Sequence, residues 1–196
     1  MRILRPTLIV GIGGSAGALN AYKAFLDALP SNTGMAFVIV SHITPAANSQ
    51  LAQILSRHTK MTVVVASTAM PIRANHVYVI PPDVDLLVEG DTLKVISPRS
   101  KRNVQIDLFF TSLAKAIGPR AVGIVLSGFD GDGTAGCRQI KAHGGITFAQ
   151  DASAEVEEMP LSAQTAGCVD LVLSPEDMAK ELARITRPRM AASQTI

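Results

Sequence analysis

LIVGIGGSAGALN, residues 8–20, joins an apolar run to a glycine cluster and then to residues at helical spacing. A continuous apolar run suits a strand buried on both faces, as in a parallel sheet. Two chemistries fit the junction. Gly11, Gly13 and Ala16 match G-x-G-x-x-[GA], the turn that brings backbone up to a pyrophosphate. Gly13-Gly14-Ser15-Ala16-Gly17 also match G-x-S-x-G, the strand-to-helix elbow that exposes a serine hydroxyl. A plainer use of Ser15 is as a helix N-cap.

Outward from this stretch, strand-like and helix-like periods alternate almost end to end. MAFVIVSH, MTVVVAS, AVGIVLSG, ITFAQD and CVDLVLS read as strands. ALNAYKAFLDALP, NSQLAQILSRHT, IDLFFTSLAKAIG, DGTAGCRQIKAHGG, MPLSAQTAG and SPEDMAKELARI read as helices. Asn48 or Ser49 is expected to cap the second helix. Ser174, Pro175 and Asp177 form a start signal with a capping box for the last. The pattern breaks at HVYVIPP, VDLLVEG and DTLKVIS, short strands with no room for helices, the last two forming an antiparallel hairpin. The order implies an α/β fold: a doubly wound, mostly parallel sheet with helices on both faces and a small antiparallel hairpin.

The chain has 196 residues, which suggests one domain over 1–187 and a flexible tail over 188–196. Hydrophobic residues make up 47%, enough for a core, and with aromatics at 4% that core must be aliphatic. A net charge of +2 is too small to argue for nucleic acid. No signal peptide and no run long enough to span a bilayer is visible, so a cytoplasmic protein without direct membrane insertion is expected. Cys137 and Cys168 are read as buried free thiols. No cofactor or metal is expected. His58, His76 and His143 lack ligand spacing, and DGDGTAG puts Lys141 where an EF-hand needs its bidentate Glu.

The dinucleotide reading of Ser15 weakens at the next strand, which closes on Ser41 and His42 with no acid to hold a ribose. No Walker lysine follows the glycines. The nucleophile reading gains there. A serine near neutral pH needs a base, and the base needs an orienting carboxylate. His42 ends the second strand, and Asp132 lies just past a later one, in LSGFDGDG. In a parallel sheet all three residues reach the same C-terminal edge, where such sheets place ligands. Taken singly, His42 could be a satisfied strand-end histidine and Asp132 a cap for the helix after Gly133. The order Ser…His…Asp differs from the Ser…Asp…His order of α/β-hydrolases.

GIGGSAGAL, VIVSHITP, HVYVIPP, IDLFFTSLA, GIVLSGFDGDGTAG, GGITFAQD and MPLSAQTAG resemble the catalytic domain of CheB-type protein-glutamate methylesterases, from about Thr7 to Ile185. ILSRHTKM and HVYVIPPD are similar to the version fused ahead of methyltransferase modules. The resemblance implies hydrolysis of glutamate methyl esters on chemoreceptors or related signalling proteins, with glutamine deamidation in many members. It puts the nucleophile on Ser15, the base on His42, the triad carboxylate on Asp132 and an oxyanion amide on Phe129. The amide of Ala16, next to the nucleophile, is a second sensible donor.

Three departures stand out. Ala16 replaces a frequent threonine, Asp130 a usual glycine, and Glu158 a frequent glycine before Met159-Pro160. Arg99, Lys101 and Arg102 form either a solvated loop or a docking patch for acidic receptor helices. Chemotaxis-type members carry a phosphorylatable receiver domain, and none is seen here, so an ungated site is expected. Two other classes stay open: a non-catalytic receptor- or partner-binding signalling module of the same fold, and a dinucleotide-binding protein.

Overall fold

Strand β1 (Ile9–Gly14) is buried along its whole length and pairs in parallel on both sides, with β2 (Ala36–Ser41) and β8 (Ala121–Val125). The computed structural model describes residues 5–42 and 45–186. From β1 the chain runs through α1 (Ala18–Ala28), β2, α2 (Pro45–Leu55), β3 (Thr62–Val65), β4 (Met70–Pro71), β5 (His76–Val79), β6 (Asp85–Glu89) and β7 (Thr92–Ile96). It continues through α3 (Gln105–Ile117), β8, α4 (Thr134–Ala142), β9 (Ile146–Gln150), α5 (Glu158–Thr165), β10 (Leu171–Leu173) and α6 (Pro175–Thr186). Among the described residues the main sheet has seven parallel strands in the order β10-β9-β8-β1-β2-β5-β3. A smaller antiparallel sheet has the order β4-β7-β6.

The parallel sheet with helices and the small antiparallel element agree with the sequence pattern. The β6–β7 hairpin is present, and β4 extends it by a strand that no run of residues announced. HVYVIPP behaves differently from its two companions. As β5 it lies between β2 and β3 in the main sheet, parallel to both, although no helix separates it from β3 in sequence. The excursion through β4 supplies the crossover that a helix normally makes.

Helix α2 starts at Pro45, so Asn48 and Ser49 are helix residues and not caps. Proline suits a first helical position because its ring presets φ and its missing N–H has no intrahelical partner there. In α6, Ser174 Oγ accepts the Asp177 amide at 3.2 Å, but the Asp177 carboxylate turns to Lys180 Nζ at 2.9 Å. Only one limb of the expected capping box is made among the described residues. The expected tail over 188–196 lies outside the described residues.

Two apolar layers sandwich the sheet. On one face, Ile106, Phe109, Phe110 and Leu113 of α3 pack with Cys137 and Ile140 of α4. On the other, Tyr22, Phe25 and Leu26 of α1 pack with Leu51 of α2 and Met178 and Leu182 of α6. The glycines of β1 belong to this packing. A Cβ at Gly11 would lie 2.9 Å from the rings of Phe109 and Phe110, and one at Gly13 would lie 2.5 Å from Ile106 Cγ2. The spacing that resembles a dinucleotide fingerprint therefore lets α3 lie close on the sheet. Cys137 and Cys168 are buried and free, as expected. No helix among the described residues is long and apolar enough to cross a membrane.

Candidate active site

Strands β8, β1 and β2 are consecutive in the sheet, and Asp132, Ser15 and His42 follow their C-terminal ends. Strand order reverses across this group: from β1 the chain moves to β2, and much later returns to β8 on the other side. That is a topological switch point, where crossover helices diverge and leave a crevice. Backbone pairing continues past the strand ends. The Ser15 amide donates to Ser127 O at 2.9 Å, and the His42 amide donates to Gly14 O at 3.3 Å.

Ser15 does not cap a helix. Gly17 is the N-cap of α1 and no side chain caps that end. Ser15 Oγ makes no hydrogen bond among the described residues, His42 included. Gly128 crosses directly over it, and a Cβ there would stand 2.9 Å from Ser15 Cβ.

His42 is tied to Asp132: its Nε2 lies 2.6 Å from Asp132 Oδ2, and the two side chains are 8% and 0% exposed. A buried carboxylate needs partners to offset lost hydration. Asp132 has three besides the imidazole. Oδ2 accepts the Ile106 amide at 3.0 Å, and Oδ1 accepts the amides of Asp107 at 2.8 Å and Gly133 at 2.9 Å. Ile106 and Asp107 belong to the first turn of α3, whose unpaired amides and dipole favour an anion. Asp132 thus caps α3 from across the fold, while its bond to Gly133 touches only the approach to α4. With Nε2–H directed at the carboxylate, the ring's lone pair is on Nδ1.

The loop after β8 carries the other expected groups. Among the described residues, the amides of Ala16 and Phe129 have no intramolecular acceptor, so both donors are available. Phe129 is 55% exposed. Asp130 has φ 67, in the left-handed region that favours glycine. Its Oδ1 accepts the Asp132 amide at 2.9 Å, and its own amide donates to Glu158 Oε2 at 3.1 Å. The two departures therefore meet each other and brace one turn. Arg99 pairs with Asp83 at 3.2 Å, while Lys101 and Arg102 are exposed. This basic loop leads into the first turn of α3 but reaches none of the three central side chains.

Sequence reasoning missed three contributors. Ser127 is buried; its Oγ donates to Ala16 O at 2.7 Å and accepts the Val156 amide at 2.9 Å, which ties the elbow to the segment before α5. Gln150 Oε1, at the end of β9, accepts the Ser127 amide at 3.0 Å. Asp107 Oδ1 accepts the amides of Gly133 at 2.9 Å and Gly136 at 2.7 Å. Burial pushes the Asp107 carboxyl up, against the pull of the Gly136 amide. Nothing local distinguishes these residues from ordinary strand-end or first-turn polar groups.

Below the site, the buried Tyr22 phenol points at Gly14, where a Cβ would meet its oxygen at 2.5 Å, and burial holds it neutral by raising its pKa strongly.

A parallel α/β sheet that presents an elbow serine and a histidine bound to a buried, amide-held aspartate on three adjacent strands has the make-up of a serine hydrolase. Residues 10–182 match the family model described as CheB methylesterase, and the chain belongs to that family. It is 35% identical over 178 residues to a putative protein-glutamate methylesterase/protein-glutamine glutaminase of Leptospira interrogans, covering 89% of this chain and 92% of the relative. A protein-glutamate methylesterase/protein-glutamine glutaminase of Photorhabdus laumondii is 34% identical over 187 residues, and there the match covers 92% of this chain and 53% of the relative. Among solved structures, the Thermotoga maritima CheB methylesterase catalytic domain superposes with a TM-score of 0.84 at 25% identity, over 91% of this chain and 98% of that one.

Proposed function

We propose that this chain hydrolyses γ-methyl esters of glutamate side chains on chemoreceptors or related signalling proteins in the cytoplasm, through an acyl-enzyme on Ser15. The observation that carries the reading is the His42 Nε2–Asp132 Oδ2 bond of 2.6 Å at the strand end next to the elbow serine, in a chain of this family. Ser15 Oγ attacks the ester carbonyl carbon, and its proton passes to His42 Nδ1. Asp132 accepts Nε2–H, holds that tautomer and stabilises the imidazolium. The developing oxyanion takes the free amides of Phe129 and Ala16. Methoxide collects the proton from His42 and leaves as methanol. Water, deprotonated by His42, then attacks the acyl-enzyme, and Ser15 Oγ leaves with that proton returned from His42, releasing the glutamate carboxyl.

The same route releases ammonia from a glutamine side chain. The paired activities in the names of the relatives support testing that substrate too. Lys101 and Arg102, with Arg99 behind them, offer positive charge beside α3 that steers an acidic receptor helix toward the cleft. Mass spectrometry of a methylated receptor fragment incubated with the protein tests the reading. Loss of the methyl group with wild type and its retention with Ser15→Ala are the expected results. Loss with both refutes the serine mechanism.

A further inference from the structure

We infer that Asp107 is a positioning residue for this chemistry, one that aims Asp132 at His42 by bridging the first turns of α3 and α4. The inference rests on the triad reading above. Helices α3 and α4 begin side by side, and neither has a capping side chain at its own N-cap residue, Val104 or Gly133. Gly133 has φ 96, where a capping serine or aspartate would be strained, so the cap for α4 must come from elsewhere.

The two ends exchange carboxylates. Asp132, just ahead of α4, accepts the Ile106 and Asp107 amides of α3. Asp107, in the first turn of α3, accepts the Gly133 and Gly136 amides at the start of α4. The exchange closes on itself at two points. The Asp107 amide binds Asp132 Oδ1 at 2.8 Å, and the Gly133 amide is shared at 2.9 Å by both carboxylates. Every partner of Asp132 Oδ1 is thus either Asp107 itself or a group that Asp107 holds. Removing the Asp107 carboxylate leaves the Asp107 and Gly133 amides on Asp132 Oδ1 but unties Gly133 and Gly136 from α3, so the turn that carries Asp132 and Gly133 is free to shift, and with it the plane of the Asp132 carboxylate. The Nε2–H···Oδ2 bond to His42 depends on that plane. Two carboxylates held this close, one of them pushed toward protonation by burial, oppose stability unless the amides between them are held in place.

The test compares Asp107→Asn and Asp107→Ala in the full chain, with methanol release from a glutamate-methyl-ester peptide as the assay. Asparagine keeps the one oxygen that accepts both α4 amides but loses the negative charge, so that variant retains the cap and weakens it. We expect kcat to fall roughly tenfold for Asn and roughly a hundredfold for Ala, the scale of loss from a small misplacement of reacting groups, with KM unchanged. The downfield imidazole proton of the His42–Asp132 bond should shift in both variants. In an Asp132→Asn background the further change Asp107→Ala should cost less than about twofold, because the residue acts through Asp132. If Asp107→Ala does not fold, Asp107→Asn carries the same comparison of kcat, proton shift and background.

A folded Asp107→Asn with wild-type kcat and an unmoved proton overturns the inference. So does an equal loss with and without Asp132. Ser15→Ala measured alongside separates the two readings. If it is inactive while the Asp107 variants match wild type, only the role of Asp107 falls. If it is active, the triad reading falls and takes this inference with it.

Discussion

Replacing Asp132 by asparagine changes one atom and two properties. In the native site Oδ1 is shared by the Asp107 and Gly133 amides and Oδ2 by the Ile106 amide and His42 Nε2. All four partners are donors, so an amide side chain fits in neither orientation. With the asparagine oxygen kept on Asp107 and Gly133, its NH2 faces the Ile106 amide donor to donor. It also presents a donor to Nε2, which favours the tautomer with the proton on Nδ1. That nitrogen then cannot accept from Ser15. In a serine protease the corresponding tautomer change lowers kcat by ~10⁴, and a loss of that order is expected here.

Stability moves far less. One buried amide loses its acceptor, which costs about 1–3 kcal/mol. For a chain of this size that lowers Tm by roughly 2–12 °C. Turnover is read from methanol release under saturating methylated peptide, and folding from near-UV circular dichroism and the melting curve. Asp130→Asn is the control: its Oδ1 accepts the Asp132 amide, a role an asparagine oxygen can keep. Asp132→Asn within about tenfold of wild type, while folded, would refute the tautomer argument. Greater damage from Asp130→Asn would show that the wrong carboxylate had been assigned.

Ser15→Ala should abolish covalent turnover and leave Tm nearly unchanged, since the hydroxyl makes no hydrogen bond among the described residues; an acyl-enzyme trapped on the variant and seen by mass spectrometry would contradict this. Gly128→Ala should destabilise by about 1–3 kcal/mol through overpacking against Met159 and Ser15 and should impair turnover as well, with denaturant midpoint and kcat as the two readouts. Asp170 concerns pH. Burial pushes its carboxyl up, but Lys141 Nζ at 2.7 Å, with the Thr147 amide and hydroxyl, brings it below the ordinary range. A depressed folded pKa gives stability that is present above the unfolded value and is lost as pH falls through the folded one. Asp170→Asn should therefore melt lower than wild type at neutral pH, and the gap should close on acidification below the carboxylate range; a gap that stays constant with pH would rule out the ionic contribution.

Local signals made most of the strands and helices legible. LIVGIGGSAGALN announced a buried strand, an elbow and a helix, because burial on both faces demands continuous apolar residues and a sharp turn demands small ones. The same logic places Ser15, His42 and Asp132 at one sheet edge, since strands related by right-handed crossovers all end on one side. Glycine spacing in β1 was ambiguous: Gly11 and Gly13 satisfy a phosphate motif, and only α3 lying against them shows that their use is steric. Strand β5 could not be placed from its own residues, because periodicity reports burial and not the identity or direction of the neighbour. The same holds for the roles of Asp107, Ser127 and Gln150. Each acts through hydrogen bonds to backbone far away in sequence, as Asp107 does with Gly133 and Ser127 with Ala16. Sequence pattern carries what a residue needs from its immediate turn or strand. Which distant amide a buried carboxylate satisfies is decided only when the helices pack and their unpaired first turns come to face one another.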